Sequence, residues 1–306
     1  MAAATTPPAV PDQAGEQSML ELRGARGSLV QLVHRSRLLR TGLSFLALLT
    51  VTAICAPLLA SYDPRGISGQ ALERPSARHW LGTDVPGHDI FAQLVYGARD
   101  SLTVAVIAGS LALTGAVLIG ALPALLGGWA DRISNAAAVL LLALPGLPLL
   151  VLIGSLAGNS HLAVILVIGF LGAAPNARIL RSQALSLRRR DFITAARGFG
   201  GSPVYVLRRH VVPGLAPLLV VGFVNWAGVS IGLEAGLAFL GLGDPSAVSW
   251  GNMLNRALSQ QGIYFSALWT WWVLPPGFAV ALAVVGFTFV GVGLEPTFNP
   301  RWLRAS

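Results

Sequence analysis

The chain has 306 residues, of which 54% are hydrophobic and 11% are charged, and its formal net charge is +8. Soluble domains carry about a quarter charged residues, so this composition excludes an ordinary soluble protein and predicts an integral membrane protein with several spans. All 21 basic residues are arginines. Because a Walker A loop and a Schiff base both require lysine, any ATP that drives this protein must bind to another chain.

The N-terminal region, residues 1–40, is predicted to be a cytoplasmic tail. It is rich in Ala and Pro up to about Ser18 and is predicted to be disordered there. The basic segment from Leu20 to Arg40 has two interpretations, an amphipathic helix on the inner leaflet or a solvated tail. The single cysteine, Cys55, lies in an apolar run, which excludes an internal disulfide and indicates a packed membrane residue.

Six apolar stretches predict six transmembrane helices, because about 20 apolar residues cross a bilayer. The predicted spans are residues 41–60, 102–126, 135–156, 162–175, 218–240 and 269–294. Pro145 and Pro148 interrupt the third span. We predict residues 41–100 to be the first helix with an external loop, and residues 101–306 to be a core of five further helices.

The arginines decide the orientation of these spans, because basic residues collect on the cytoplasmic side. With both termini inside, the outer segments hold only five arginines, namely Arg65, Arg74, Arg78, Arg99 and Arg256. All the others, including Arg132, Arg301 and Arg304, then lie inside. Both termini are therefore predicted to be cytoplasmic. The net charge is interpreted as topological, so the bilayer and not a nucleic acid is the expected partner.

Residues 176–217 form a long polar interruption on the cytoplasmic side and are predicted to fold as a helical hairpin. Asp191 is predicted to cap the first short helix, and the glycine-rich run 198–201 to end it. Residues 202–203, Ser-Pro, predict the start of a second helix, which is predicted to stop at Pro213. A protein that only crossed the bilayer would not need this hairpin.

The hairpin resembles the "EAA" loop of bacterial ABC importer permeases. In that family, Glu-Ala-Ala is followed at fixed spacing by a glycine and by Ile-x-Leu-Pro. This chain has Ala195, Ala196, Gly200 and Pro213 in register, with Thr194 in place of the glutamate. The peptide-permease branch usually lacks that glutamate, so the departure points to that branch.

Further motifs in the same order resemble the "C"-type subunit of the dipeptide/oligopeptide/nickel permease family. They are HWLGTDVPGHD at 79–89, YGARDSL at 96–102, EAGLAFLGLGDPSAVSWGNML at 234–254 and VGVGLEPTFNPR at 290–301. The chain departs at His88, where arginine is usual. The resemblance covers about residues 38–302.

The resemblance implies an all-α polytopic membrane protein with the type I ABC importer permease fold, in the bacterial inner membrane. It also implies four kinds of partner: a homologous B-type permease, two ATPase subunits that carry ATP and magnesium, an external substrate-binding protein and lipid. This chain would bind no cofactor and catalyse no reaction. The coupling residues that it implies are Asp191, Phe192, Thr194, Ala195, Ala196, Arg197, Gly200 and Pro213.

Two further sets of residues are candidates for function. Glu234 follows Ser230 and Trp226 at helical spacing, so these three could line the translocation path, although a structural hydrogen bond for Glu234 is the alternative. An outer docking loop for the binding protein is expected at His79, Trp80, Gly82, Asp84, Gly87 and Asp89. The His and Asp spacing there fits no standard zinc pattern, and no metal is predicted.

The resulting hypothesis is the permease subunit of an ATP-driven importer of dipeptides or oligopeptides that works by alternating access. Nickel, haem or glutathione as the substrate stays open. An ion-coupled secondary transporter is the rival from another class, but it predicts buried charges near the bilayer midplane, and the predicted spans carry almost none. A membrane anchor for an enzyme complex would not need the hairpin.

Overall fold

The computed structural model describes residues 36–156 and 160–298, with side chains as far as Glu295. The predicted tail before Ser36 and the arginines at 301 and 304 lie outside the described residues. The helices are α1 Arg37–Ile54, α2 Ala56–Leu59, α3 Ile90–Ala116, α4 Leu122–Leu126, α5 Gly128–Ala143, α6 Gly146–Leu156, α7 His161–Arg188, α8 Asp191–Gly198, α9 Pro203–Val206, α10 Val212–Phe239, α11 Trp250–Leu258, α12 Leu268–Trp272 and α13 Leu274–Phe298. Two isolated β-bridges lie in the outer loop.

Five helical stretches are long and apolar enough to cross a membrane. They are Arg37–Ile54, Ile90–Leu126, His161–Arg188, Pro203–Phe239 and Leu268–Glu295. Helices α5 and α6 meet the same criteria as a pair bent by 89°. The bend falls at Pro145, the predicted interruption, because proline lacks the N–H that would continue the helix. With this pair as the third span, the predicted all-α fold with six spans is confirmed.

The outer ends of the first two spans differ from the prediction. Helix α3 begins at Ile90 and not at Leu102, because the Asp89 Oδ1 accepts a hydrogen bond from the Ala92 N–H at 2.7 Å and caps the helix. The predicted boundary between residues 100 and 101 therefore falls inside one helix. Helix α1 begins at Arg37 and breaks at Cys55, before Pro57, so the predicted end at Ala60 was wrong.

Two prolines sit inside long helices directly after a π-helical turn. The turn Val117–Ala121 joins α3 to α4 before Pro123, and the turn Leu207–Val211 joins α9 to α10 before Pro213. In each turn the backbone bonds shift to a wider ring, so the helix continues past a residue that has no N–H to donate. The prediction that the second hairpin helix stops at Pro213 was therefore wrong.

The fourth and fifth spans are longer than predicted and leave the bilayer as helices. Helix α7 passes Pro175 and continues to Arg188, so a basic helix extends the fourth span into the cytoplasm. The fifth span begins at Pro203 and not at residue 218. Continuous helices on both sides of the hairpin mean that a displacement of the hairpin can pass directly into the membrane domain.

Small residues allow the long helices to pack closely. Helix α7 packs along α3, α10 packs on α3 and α13, and α13 packs on α1. A Cβ added to Gly120 would clash with the backbone of Ala177 in α7, 2.8 Å from its Cα. A Cβ at Gly228 would lie 2.8 Å from the Phe287 Cβ in α13. Such glycine contacts let helix backbones approach where the bilayer supplies no hydrophobic driving force.

Replacing Gly120 with Ala is expected to destabilise the membrane domain by about 1–3 kcal/mol, because the new methyl group meets backbone that cannot rotate away. Thermal denaturation of the purified chain in detergent measures the effect as a lower midpoint. The matched control is Gly236→Ala, since a Cβ there meets no atom within 4 Å in the described residues and helix propensity favours alanine. An equal or higher midpoint for Gly120→Ala would contradict the packing.

Candidate functional site

The cytoplasmic hairpin is built by local signals in its sequence. Gly200 has φ +82°, a conformation that favours glycine, and the Gly201 N–H donates to the Ala196 carbonyl at 3.0 Å to close the first helix. Ser202 caps the second helix by accepting from the Tyr205 N–H at 3.2 Å. These predictions are confirmed. Asp191, however, is the first residue of α8 and not its cap, because Arg190 occupies the cap position without a side-chain bond.

Helix α8 is fixed to the inner end of the second span. Ile193 is fully buried in a cluster that includes Leu125. The Arg197 Nη2 donates to the Leu125 carbonyl at 2.7 Å, and the Arg188 Nη1 donates to the Ala124 carbonyl at 3.1 Å. Two guanidinium groups therefore satisfy the free carbonyls at the end of α4, where the helix dipole also favours positive charge.

The opposite face of the hairpin exposes apolar and aromatic side chains. Phe199 is 92% exposed and Phe192 is 49% exposed. The ring of His210 lies 6.0 Å from that of Phe192 and 5.8 Å from that of Tyr205. Thr194 and Ala195 are exposed on the same short helix. An exposed apolar patch of this kind is typical of a protein interaction site.

The remaining predicted coupling residues lie at the edges of this patch. Ala196 and Arg197 are half-buried, because one side of each contacts the body of the protein. Gly200 and Pro213 are exposed, the first in the turn and the second at the start of α10. The structure therefore brings the predicted set together, and it adds Ile193, Arg188 and Phe199, which were not among the predicted coupling residues.

A cavity of about 680 Å³ lies between α7 and α10. Its polar lining comes from Asn176, Gln183, Asn225 and Glu295. Gln183 and Glu295 belong to the inner ends of α7 and α13, so the cavity lies in the cytoplasmic half. At its outer end Trp226 crosses from α10 to α7, where its Nε1 donates to the Ile168 carbonyl at 3.2 Å. The cavity therefore extends from the cytoplasmic half as far as Trp226 and Val229.

The three predicted path residues do not share one environment. Trp226 lines the cavity. Ser230 is fully buried and donates to the Trp226 carbonyl at 2.7 Å, so its hydroxyl does not face this cavity, and its place on the translocation path stays a prediction. Glu234 is 4% exposed, and its Oε2 is buried with no hydrogen-bond partner among the described residues. It lies about 12 Å further out along the helix than Trp226.

The outer loop is held by two separate carboxylate–histidine pairs. The His79 Nδ1 lies 2.8 Å from the Asp89 Oδ2, and the His88 Nδ1 lies 3.1 Å from the Asp84 Oδ2. Gln93 also donates to the Asp84 Oδ2, at 2.8 Å. His79, Asp84 and Asp89 are almost completely buried, so they fix the shape of the loop from inside.

Two glycines and one tryptophan complete the predicted docking loop. Gly82 and Gly87 have φ of +73° and +91°, and a Cβ at either would clash with a backbone carbonyl, that of Glu73 or Gly69. Trp80 is 64% exposed and packs with one face on Phe91, with ring centroids 4.9 Å apart. Of the predicted docking residues, Trp80 is therefore the one whose side chain is available to a partner, whereas the others support it.

Comparison with known proteins connects this arrangement to a family. Residues 116–304 match the family described as "Binding-protein-dependent transport system inner membrane component". A putative peptide permease protein of Brucella suis is 40% identical over 262 residues, which cover 85% of this chain and 86% of the relative. A dipeptide transport system permease protein of Alkalihalophilus pseudofirmus is 37% identical and covers 88% of each chain.

A glutathione transport system permease protein of Escherichia coli O1:K1 is 33% identical over 271 residues, which are 88% of both chains. The family match covers more than half of the sequence, and it includes the cytoplasmic hairpin and the last four spans. The chain therefore belongs to the family of inner membrane components of binding-protein-dependent transport systems.

Proposed function

We propose that this multi-pass inner-membrane protein is the C-type permease subunit of an ATP-driven importer of dipeptides and oligopeptides. Alternating access requires a cavity open to one side and an element through which energy enters. The cavity in the cytoplasmic half, with Trp226 in its outer part, is a candidate for the first, and the hairpin is a candidate for the second. ATP and magnesium would bind to partner ATPase subunits, because this chain has no lysine for a phosphate loop.

The observation that carries this proposal is the two-sided construction of α8. One side is joined to the membrane domain by buried Ile193 and by the hydrogen bond from Arg197 to Leu125. The other side presents Phe192 and Phe199 to the cytoplasm. A helix that is fixed to a span and apolar on its free face can transmit a displacement of a docked protein into that span.

Four partners follow from this assignment. One ATPase subunit would bind this hairpin, and the other would bind the corresponding hairpin of a homologous B-type permease. An external binding protein would deliver the substrate, with Trp80 in the outer loop as one contact. Membership of a family of binding-protein-dependent systems favours this arrangement over an ion-coupled transporter that works alone.

The names of the relatives support peptides as the substrate class. Two relatives are named for peptide or dipeptide transport and one for glutathione. Glutathione is itself a tripeptide with a free ammonium group and free carboxylates, so it is the second candidate and shares the charged ends of a short peptide.

Reconstitution of the chain with its partner subunits in proteoliposomes tests the proposal. We expect accumulation of radiolabelled alanyl-alanine that requires both ATP and the binding protein. Glutathione accumulation without dipeptide accumulation would move the assignment to the second candidate. Accumulation that persists without ATP would contradict an ATP-driven importer.

A further inference from the structure

A second cavity, of about 660 Å³, opens at the outer face of the protein. It lies between residues 60–65, the outer turns of α3 and Val248. Its lining contains side chains of both charges, namely Arg65, Arg99, Asp63 and Asp100. No part of the mechanism proposed above uses this cavity, and a lining with both charges indicates a ligand that carries both.

Asp100 lines this cavity with a side chain that is 27% exposed. Its Oδ1 lies 3.4 Å from the His161 Nε2. Its Oδ2 is buried and has no hydrogen-bond partner among the described residues. A ligand that brings an N–H donor to the exposed part of this carboxylate would be stabilised by a charge-assisted hydrogen bond.

A second carboxylate, on α10, lies close to Asp100. Glu234 is close enough to Asp100 for their charges to interact, and it lies beside the Ser249 hydroxyl. Ser249 directly follows Val248, which lines the cavity. The Glu234 Oε2 is also buried and unpartnered in the part of the chain that the structure describes. Of these two carboxylates, Asp100 lines the cavity and contacts His161, whereas Glu234 lies outside the lining.

The opposite charge is supplied by Arg65 and Arg99. Arg65 is exposed and lies close enough to Asp100 and Asp244 for their charges to interact. Arg99 precedes Asp100 on α3, and its side chain is also exposed at the cavity. A guanidinium group binds a carboxylate with two parallel hydrogen bonds, so these two side chains suit the carboxylate end of a ligand.

We propose that the outer cavity is a binding site for a short zwitterionic peptide, in which Asp100 accepts hydrogen bonds from the terminal ammonium group and Arg65 and Arg99 bind the terminal carboxylate. An extended dipeptide spans roughly 7 Å, and small-molecule sites have volumes of roughly 300–1,000 Å³. This inference rests on the proposed function, and it adds a substrate site on the permease itself, at the outer entrance.

Equilibrium binding to the complete transporter in nanodiscs, without the binding protein, tests this site. The probes are radiolabelled alanyl-alanine, its N-acetyl derivative and its C-terminal amide. We expect Asp100→Asn to weaken alanyl-alanine binding about tenfold, because a charge-assisted hydrogen bond is lost, and to leave binding of the N-acetyl derivative unchanged. Arg65→Gln should weaken alanyl-alanine binding and leave binding of the amide unchanged.

Glu73→Gln is the matched control for the change of charge. Glu73 lies on the same outer loop but does not line the cavity, and its Oε1 accepts from the Gln70 N–H at 2.7 Å, a bond that a glutamine oxygen can keep. We expect no change in its preference among the three probes. If Asp100→Asn prevents assembly with the partner subunits, the exposed variant Arg65→Gln tests the site through its binding of alanyl-alanine and of the amide.

If the Asp100 and Arg65 variants bind all three probes equally more weakly, or bind all of them as the unmodified transporter does, the proposed binding site is wrong. A partner subunit is the alternative occupant of the acidic end. In that case Asp100→Asn would lower the stability of the assembled complex without changing probe selectivity, which would also overturn the site. ATP-dependent uptake of alanyl-alanine by the unmodified transporter separates this failure from failure of the proposed function. If the unmodified transporter takes up alanyl-alanine but the variants do not discriminate among the probes, only the binding site is rejected. If the unmodified transporter shows no uptake, the proposed function is rejected.

Discussion

Replacing Phe199 with Asp is expected to abolish ATP-driven uptake while the chain stays folded in the membrane. Phe199 is 92% exposed and contributes almost nothing to the core. An aromatic residue at the centre of a protein interface often contributes 2 kcal/mol or more, so association with the ATPase subunits should weaken about 30-fold or more. Co-purification of the ATPases with the tagged permease and uptake in proteoliposomes measure the two effects.

Phe265→Asp is the control for this substitution. Phe265 is 98% exposed and lies in the short helix Ile263–Phe265 between the fifth and sixth spans, on the outer side. The same change of residue at the same exposure should leave ATPase association intact. Equal loss of association in both variants would mean that the effect comes from folding or insertion and not from the hairpin.

Replacing Arg197 with Gln is expected to uncouple ATP hydrolysis from transport without releasing the ATPases. The substitution removes the charged hydrogen bond from α8 to the Leu125 carbonyl and leaves Phe192 and Phe199 in place. Bonds to charged groups contribute about 1.5–3 kcal/mol, so we expect uptake per ATP hydrolysed to fall about tenfold. Parallel assays of phosphate release and peptide uptake give this ratio.

Arg189→Gln serves as the control, because Arg189 is exposed at the end of α7 and carries the same charge. Its ratio of uptake to hydrolysis should match that of the unmodified protein. A normal ratio in Arg197→Gln would show that the bond to α4 does not transmit the motion. Loss of ATPase association in Arg197→Gln would instead place Arg197 in the ATPase interface.

The contacts of the hairpin with α4 and α10 indicate how a displacement of the hairpin could be transmitted to the cavity. Helix α8 is bonded to α4, which continues through the π turn Val117–Ala121 into α3. On the other side, the hairpin continues through the turn Leu207–Val211 into α10, which carries Trp226. π-Helical turns often lie at functional positions. Displacement of α8 would therefore move α3 and α10 together, and α10 forms one side of the cavity.

The sequence predicted the features that depend on neighbouring residues. Ser202, Pro203 and Gly200 specify helix ends through their own backbone and side-chain chemistry, and the structure confirms these ends. Pro145 likewise marks the bend in the third span. The number of spans followed from composition, because the bilayer requires long apolar helices.

The features that the prediction missed depend on residues far apart in the chain. Arg197 bonds to Leu125, which is 72 positions away, and no local pattern marks that contact. Pro213 was expected to end a helix because proline has no N–H to donate. The π turn that lets the helix continue past it cannot be recognised from residue types alone. Arg99 and Asp100 were assigned to the outer loop because they are charged, yet both lie on α3. The outer cavity was therefore absent from the prediction.

Cross-linking from position 199 tests most directly the claim that energy enters this permease through α8. In a Cys55→Ser background, Phe199→Cys is labelled with a short bifunctional reagent in the assembled transporter. We predict a covalent product with an ATPase subunit, and no such product from Phe265→Cys on the outer side. An ATPase product from position 265, or none from position 199, would contradict the account.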